Sequence, residues 1–343
     1  MIGAMMCLCG TPAFAACTNT TTGVAVTATS GQPAAGETVI CDTAAPNPTI
    51  ASTTITATGN NVRVTVQNGS RIQSTGRAIG VLSNSTITNM GSITTSGLNA
   101  FGISSLPGSD TVSLINQGAI TTTGSSGHGL DARGTNTTIN NSGTVTVSGT
   151  GAAGIRIAAG ANNAIITNSG TVVGTTGALL QANGGMLSNT GSLTGSAGPA
   201  VSLTGNNNVL QLGTGSVLNG NVTSTGTGNA LILTGSGTED SSFTGFSKLT
   251  VDQNAGTWIL TGNVDTSIGT PSATNIQGGN LVVTGTLSNN NGGGVIIGPG
   301  ATLTLGNGGA TGTVTGAIDT QGTLVFNRSG SVDIAGIISG TGN

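Results

Sequence analysis

The sequence predicts an all-β chain wound as a right-handed parallel β-helix, a solenoid with three strands in each rung of about 25 residues. One short phrase carries this expectation. It reads Asn89-Met-Gly-Ser-Ile93, Asn116-Gln-Gly-Ala-Ile120, Asn141-Ser-Gly-Thr-Val145, Asn168-Ser-Gly-Thr-Val172 and Asn189-Thr-Gly-Ser-Leu193, with a worn copy at Gly213-Thr-Gly-Ser-Val217. Its glycines, Gly91, Gly118, Gly143, Gly170, Gly191 and Gly215, are spaced by 27, 25, 27, 21 and 24 residues. Two other phrases keep step with it. An apolar residue stands four before the glycine at Ile87, Leu114, Ile139, Ile166 and Leu187. A glycine followed by apolar-x-apolar gives Ile79-Gly-Val81, Leu130-Asp-Ala132, Leu180-Gln-Ala182 and Val201-Ser-Leu203. Period-two alternation in short runs reads as strand. A unit this small cannot bury its own apolar face, so the copies must stack. Ile79, Leu130, Leu180 and Val201 are therefore expected to form one interior column, and Ile120, Val145, Val172 and Leu193 another.

Taken in order, residues 1–15 read as a signal peptide. Ala13-Phe14-Ala15 before Ala16 is an A-x-A cleavage site. The segment is too short to span a bilayer. A signal peptide normally opens with Lys or Arg; here that basic region is missing. Cys7 and Cys9 would leave with the segment, and Cys17 and Cys41 would remain, 24 residues apart. In an exported protein such a pair reads as a disulfide; two unpaired thiols are the alternative. Closing a loop of that size stabilises by about 3 kcal/mol in the chain-entropy model. The bridge would pin an N-terminal cap, which a solenoid needs over its first open rung. Residues 16–76 are expected to hold that cap and the lead-in rungs, with Val62-Arg-Val64-Thr-Val66 strand-like and Asn68-Gly69 a turn. Residues 77–220 are the regular repeats. Residues 221–343 keep the strand-turn rhythm less regularly, through Leu231-Ile-Leu233, Leu281-Val-Val283, Leu303-Thr-Leu305 and Leu324-Val-Phe326. No stretch of helical period follows residue 16.

Within that last region, Gly245-Phe-Ser-Lys-Leu-Thr-Val251 and Gly256-Thr-Trp-Ile-Leu-Thr-Gly262 resemble the passenger domains of type V autotransporters. Gly322-Thr-Leu-Val-Phe-Asn-Arg328 to Ile337-Ile-Ser-Gly-Thr-Gly-Asn343 resembles the autotransporter-associated β-strand repeat, cut off partway. The Asn-x-Gly-[Ser/Thr]-[Ile/Val] rungs fit the same group, so the resemblance covers almost the whole chain. It implies export, display at the outer-membrane surface or release outside the cell, and a C-terminal β-barrel translocator. No run of amphipathic, aromatic-girdled strands follows, so this chain is expected to be truncated before the barrel. The implied role is adhesion or self-association, with host or cell-surface molecules or other copies as partners. A polysaccharide-acting β-helix enzyme and a two-partner-secretion exoprotein are the rival readings.

Composition narrows the chemistry. Charged residues are 5% and apolar residues 35% of 343, with 61 Gly, 8 Pro, 5 Phe, 1 Trp and no Tyr. Stacking platforms for sugars or bases are therefore expected to be scarce. Net charge is −3, and the few cations are scattered along the chain, which argues against nucleic-acid binding. His128 is the one histidine, and His128-Gly-Leu-Asp131 invites a general acid/base reading. In the repeat alignment His128 falls at a turn beside Arg77, Ala178 and Pro199, and Asp131 falls between two inward apolar residues. Asp131 is therefore expected to face water and to form an exposed ion pair with Arg156 one rung away, worth about 0–1 kcal/mol. Glu239 and Asp240 are adjacent acids, but neighbours on a strand point to opposite faces. No catalytic, cofactor or metal residue is assigned; the site residues expected are the disulfide pair Cys17 and Cys41. The repeated Asn89, Asn116, Asn141, Asn168 and Asn189 suit either an amide ladder up the stack or a left-handed turn position.

Overall fold

Strand formation here follows from alternation: Val, Ile and Leu at every second position, with Thr, Ser and Asn between them, bury one side of each short run. The computed structural model describes residues 17–27, 29–43, 54–268, 273–289 and 292–343. The signal segment 1–15 and its cleavage site lie outside the described residues. Within those residues every regular element is a strand and none is a helix. The strands stack as a β-solenoid of about 12 turns, with successive turns about 23 residues apart.

One turn shows the plan. Ile79–Val81, Thr86–Asn89 and Ser92–Thr95 lie on three different sheets. We call the sheet of Thr86–Asn89 the first face, that of Ser92–Thr95 the second and that of Ile79–Val81 the third. Among the described residues the first face has 16 strands and the third has 12. The second is divided, seven strands up to Val217–Asn219 and five from Gly237–Glu239 onward. Pairing is parallel throughout the stack. The exception is the N-terminal cap, where Cys17–Asn19 runs antiparallel to both Val24–Ala25 and Thr38–Cys41. Cys17 sits opposite Cys41 in that register, and the two sulfurs are bonded.

Inward side chains form a continuous core from Cys17 to Ile318. Ile120, Val145, Val172 and Leu193 make one column in strict register, each fully or almost fully buried. The other expected column is displaced by two residues at one rung. Ile79, Ile103, Leu130, Ile155, Ala178 and Val201 stand in line. Leu180 is buried, but in the next column with Ile157 and Leu203. The turn before Thr176–Leu180 is shorter, and a two-residue slip keeps inward residues inward. In the later turns the interior takes larger groups: Phe243, Phe246 and Trp258 are fully buried. Trp258 lies flat where a side chain on Gly237 would stand, and its indole N–H donates to the Thr234 carbonyl at 3.2 Å.

Five of the six phrase glycines are required for a reason other than turn conformation; Gly215, in the worn copy, has φ +87°. Gly91, Gly118, Gly143, Gly170 and Gly191 do not have positive φ. A Cβ on Gly118, Gly143 or Gly170 would lie 2.1 Å from the carbonyl oxygen of the glycine one turn earlier. The corner between the first and second faces is thus a column of backbone packed on backbone.

Candidate functional site

The repeated asparagines end first-face strands, with side chains directed into the corner. Asn89, Asn116, Asn141, Asn168 and Asn189 follow one another in register, flanked by Val66 before and Leu212 after. Each Nδ2 donates to the next Oδ1 at 2.7–2.8 Å. The second hydrogen of Asn141 and of Asn189 goes to the carbonyl of Gly143 and of Gly191, which fixes the orientation of these amides. All five are buried. The residues at positive φ are different ones, such as Asn61, Asn84, Asn99, Asn136, Asn163 and Asn207. Of the two roles open in the sequence, the phrase asparagines fill the ladder. Asn189 passes the chain of donors to Ser216 Oγ at 2.8 Å, and Ser216 passes it to Glu239 Oε1 at 3.3 Å. Glu239 is buried and its neighbour Asp240 is exposed, as strand alternation requires. Burial pushes the Glu239 carboxyl up to about 7, against the lowering effect of the Ser216 hydroxyl.

The second constellation lies on the third face. His128 and Asp131 are not solvent-facing: His128 is 3% exposed and Asp131 is 0%. The expected exposed ion pair is real in register, since Asp131 pairs with Arg156, but it is buried and has a third member. Asp131 accepts from Arg156 Nε at 2.7 Å on one oxygen and from Arg133 Nε at 2.6 Å on the other. Phe101 packs against His128 and against the arginines that hold Asp131. Its ring stacks on His128 with centroids 5.6 Å apart. The guanidinium carbons of Arg77, Arg133 and Arg156 lie 5.6, 4.2 and 5.5 Å from its centroid. Arg77 reaches across the outer face of its strand because Gly80 leaves room: a Cβ there would meet Arg77 Cδ at 2.7 Å. Three of the cations that lie scattered along the chain thus meet around one of its few aromatic rings. The signal was in the numbering. Arg77, Phe101 and His128 are 24 and 27 residues apart, so the stack superposes them.

His128 does not form a dyad with Asp131. Its Nδ1 accepts the Ala153 N–H at 2.9 Å. Burial, and then Arg156, lower its pKa to about 4, so the imidazole is neutral. Arg77 is also pushed below its ordinary value, by burial first and by Arg133 second. Its buried Nε and the buried hydroxyl of Ser104 have no hydrogen-bond partner among the described residues. Ser104 stands between Gly80 and Asp131 in register.

A third feature runs along the corner of the first and second faces. The glycine column, with Gln117, Ser142, Thr144, Ser169, Thr171 and Ser192, lines a groove of about 780 Å³ crossing five turns. No titratable side chain lines it. Among the described residues no cluster of three His, Cys, Asp or Glu could hold a metal ion, and no helix is long and apolar enough to cross a membrane. No protein-family model, curated protein or solved structure matches this chain.

Proposed function

We propose that the chain is the exported, surface-displayed passenger of an autotransporter-like protein and acts by adhesion or self-association. The observation that carries this reading is the corner groove. It repeats a glycine over five turns and sets Ser or Thr beside that glycine in the three middle ones. Such a surface offers hydroxyls and main-chain groups at a fixed spacing and no acid or base. That suits binding of an extended, repetitive partner better than a reaction at one bond. Two further observations support the reading. The Cys17–Cys41 bond sits in the cap, where an oxidising compartment would keep it. The His128 and Asp131 lone pairs that acid/base chemistry would use are already engaged, by Ala153 and by two arginines.

The test is localisation combined with a binding assay. In intact cells the chain should be digested by added protease and should carry an oxidised Cys17–Cys41 pair. Removing the gene should reduce cell aggregation or attachment. Retention in the cytosol with both thiols free would overturn the reading. Turnover of a polysaccharide by the purified chain would replace it with the enzyme reading.

A further inference from the structure

The groups around Phe101 do not balance in charge. Arg77, Arg133 and Arg156 bring three positive charges within 5.6 Å of one ring centroid. Asp131 brings the single negative charge, and His128 is neutral. The whole chain is net −3, so this excess of cations is local. Asp131 engages only the Nε–H of Arg133 and of Arg156, which leaves the terminal nitrogens of both guanidinium groups outside the ion pairs. Both side chains still reach solvent, at 24% and 17% exposure. Among the described residues Arg77 has no carboxylate partner, and its Nε is buried unpaired. The Ser104 hydroxyl, fully buried on the same outer face, has no partner among those residues either.

Holding like charges together in a partly dry site costs free energy, and leaving buried donors unpaired adds to the cost. One group would relieve both costs: an anion with several acceptor oxygens in a plane or a tetrahedron. Guanidinium forks match a carboxylate or a sulfate in paired hydrogen bonds. We propose that Arg77, Arg133 and Arg156 form a binding site for a single oxyanion group, a carboxylate or sulfate. The group is either a free ion or one carried on an acidic polysaccharide. Phe101 holds the guanidinium groups by cation–π contact, and Asp131 fixes the two that come from later turns. Gly80 admits Arg77. The inference does not depend on where the protein is located.

His128 provides the readout, because it is the only histidine and stacks on the same ring. Untagged, disulfide-intact chain is titrated with sodium sulfate and sodium acetate at ionic strength held constant with sodium chloride, while the His128 imidazole resonances are followed by NMR. A saturable shift with sulfate or acetate, absent with chloride, is expected. Arg77→Gln should weaken that binding at least tenfold. Gly80→Ala should weaken it as well, by displacing Arg77 without removing a charge. Lys248→Gln, at an exposed position elsewhere, should leave it unchanged. Size-defined sulfated and uronate oligosaccharides form the second arm. Tenfold tighter binding than the free ion assigns the site to a polysaccharide, and equal binding assigns it to the free ion. The proposal is overturned if wild-type protein shows no saturable response to any of these probes. Folded Arg77→Gln and Gly80→Ala proteins binding with wild-type affinity would overturn it equally.

Discussion

His128 sits where its ordinary titration is suppressed. With a folded pKa of about 4 against 6.5 in the unfolded chain, the unfolded state binds the extra proton between those values. The stability this residue contributes is therefore complete above pH 6.5 and is lost as pH falls through about 4. NMR titration of untagged protein should give one imidazole midpoint near 4; a midpoint near 6.5 would contradict its burial. Glu239 has the opposite sign. Its folded value of about 7 exceeds the ordinary 4.5, so its contribution is complete below pH 4.5 and is lost as pH rises through about 7. Glu239→Gln should raise the thermal midpoint at pH 8, by about 1–3 kcal/mol in stability. At pH 4.5 it should change little, and an equal effect at both pH values would remove the burial argument. Asp131→Asn leaves Arg133 and Arg156 facing each other without a carboxylate. It should cost about 2–4 kcal/mol in urea unfolding, whereas a solvent-facing Asp131 would give a change within about 0.5 kcal/mol.

The amide ladder is an element of its own, perpendicular to the strands. Asn140 and Asn141 are adjacent in one strand, the first exposed and the second buried. Asn141→Ala strands the Nδ2 of Asn116 and the Oδ1 of Asn168, two buried groups that water cannot reach. Each such orphan costs about 1–3 kcal/mol, so Asn141→Ala should be strongly destabilising while Asn140→Ala stays within about 0.5 kcal/mol. Chemical denaturation of the two variants checks this, and equal effects would return the asparagines to a turn role. Gly143 belongs to the same corner. Its alanine variant should push two turns apart, because the new Cβ meets main chain that cannot rotate away.

At the scale of the molecule, each turn touches only its neighbours, so damage to one interior position is a local interruption of a one-dimensional stack. Val145 lies between Ile120 and Val172 in the second-face column and is fully buried. Val145→Asp places an unpaired charge there, at a cost of at least about 4 kcal/mol. Amide hydrogen exchange should show protection lost first in the turns holding residues 119–122, 144–147 and 171–174 and spreading outward. Protection equal to that of the parent protein would mean that this column is not a packed interior.

The chain's repetition made the rung period, the three short strands per turn and the Ile120 column readable in advance. These depend on local alternation and on a phrase copied at near-constant spacing, both of which are written along the chain. Other features depend on what stands one turn above and one turn below. Strand alternation put Asp131 outward, which is correct for its own strand. Arg133, folding back, and Arg156 from the next turn lie on that outward side, with Phe101 from the previous turn packed on Arg133, and Asp131 is buried there. The two-residue displacement of Leu180 follows a shortened turn whose effect shows only when neighbouring rungs are paired. Whether the phrase asparagines bond to one another or bend the chain is likewise settled by the 2.7–2.8 Å Nδ2–Oδ1 hydrogen bonds between turns. In a solenoid the neighbours that decide burial and charge are about 25 residues away in the chain and about 4.8 Å away in space. Periodicity alone therefore gives the stack, and only the stacked structure gives the contacts.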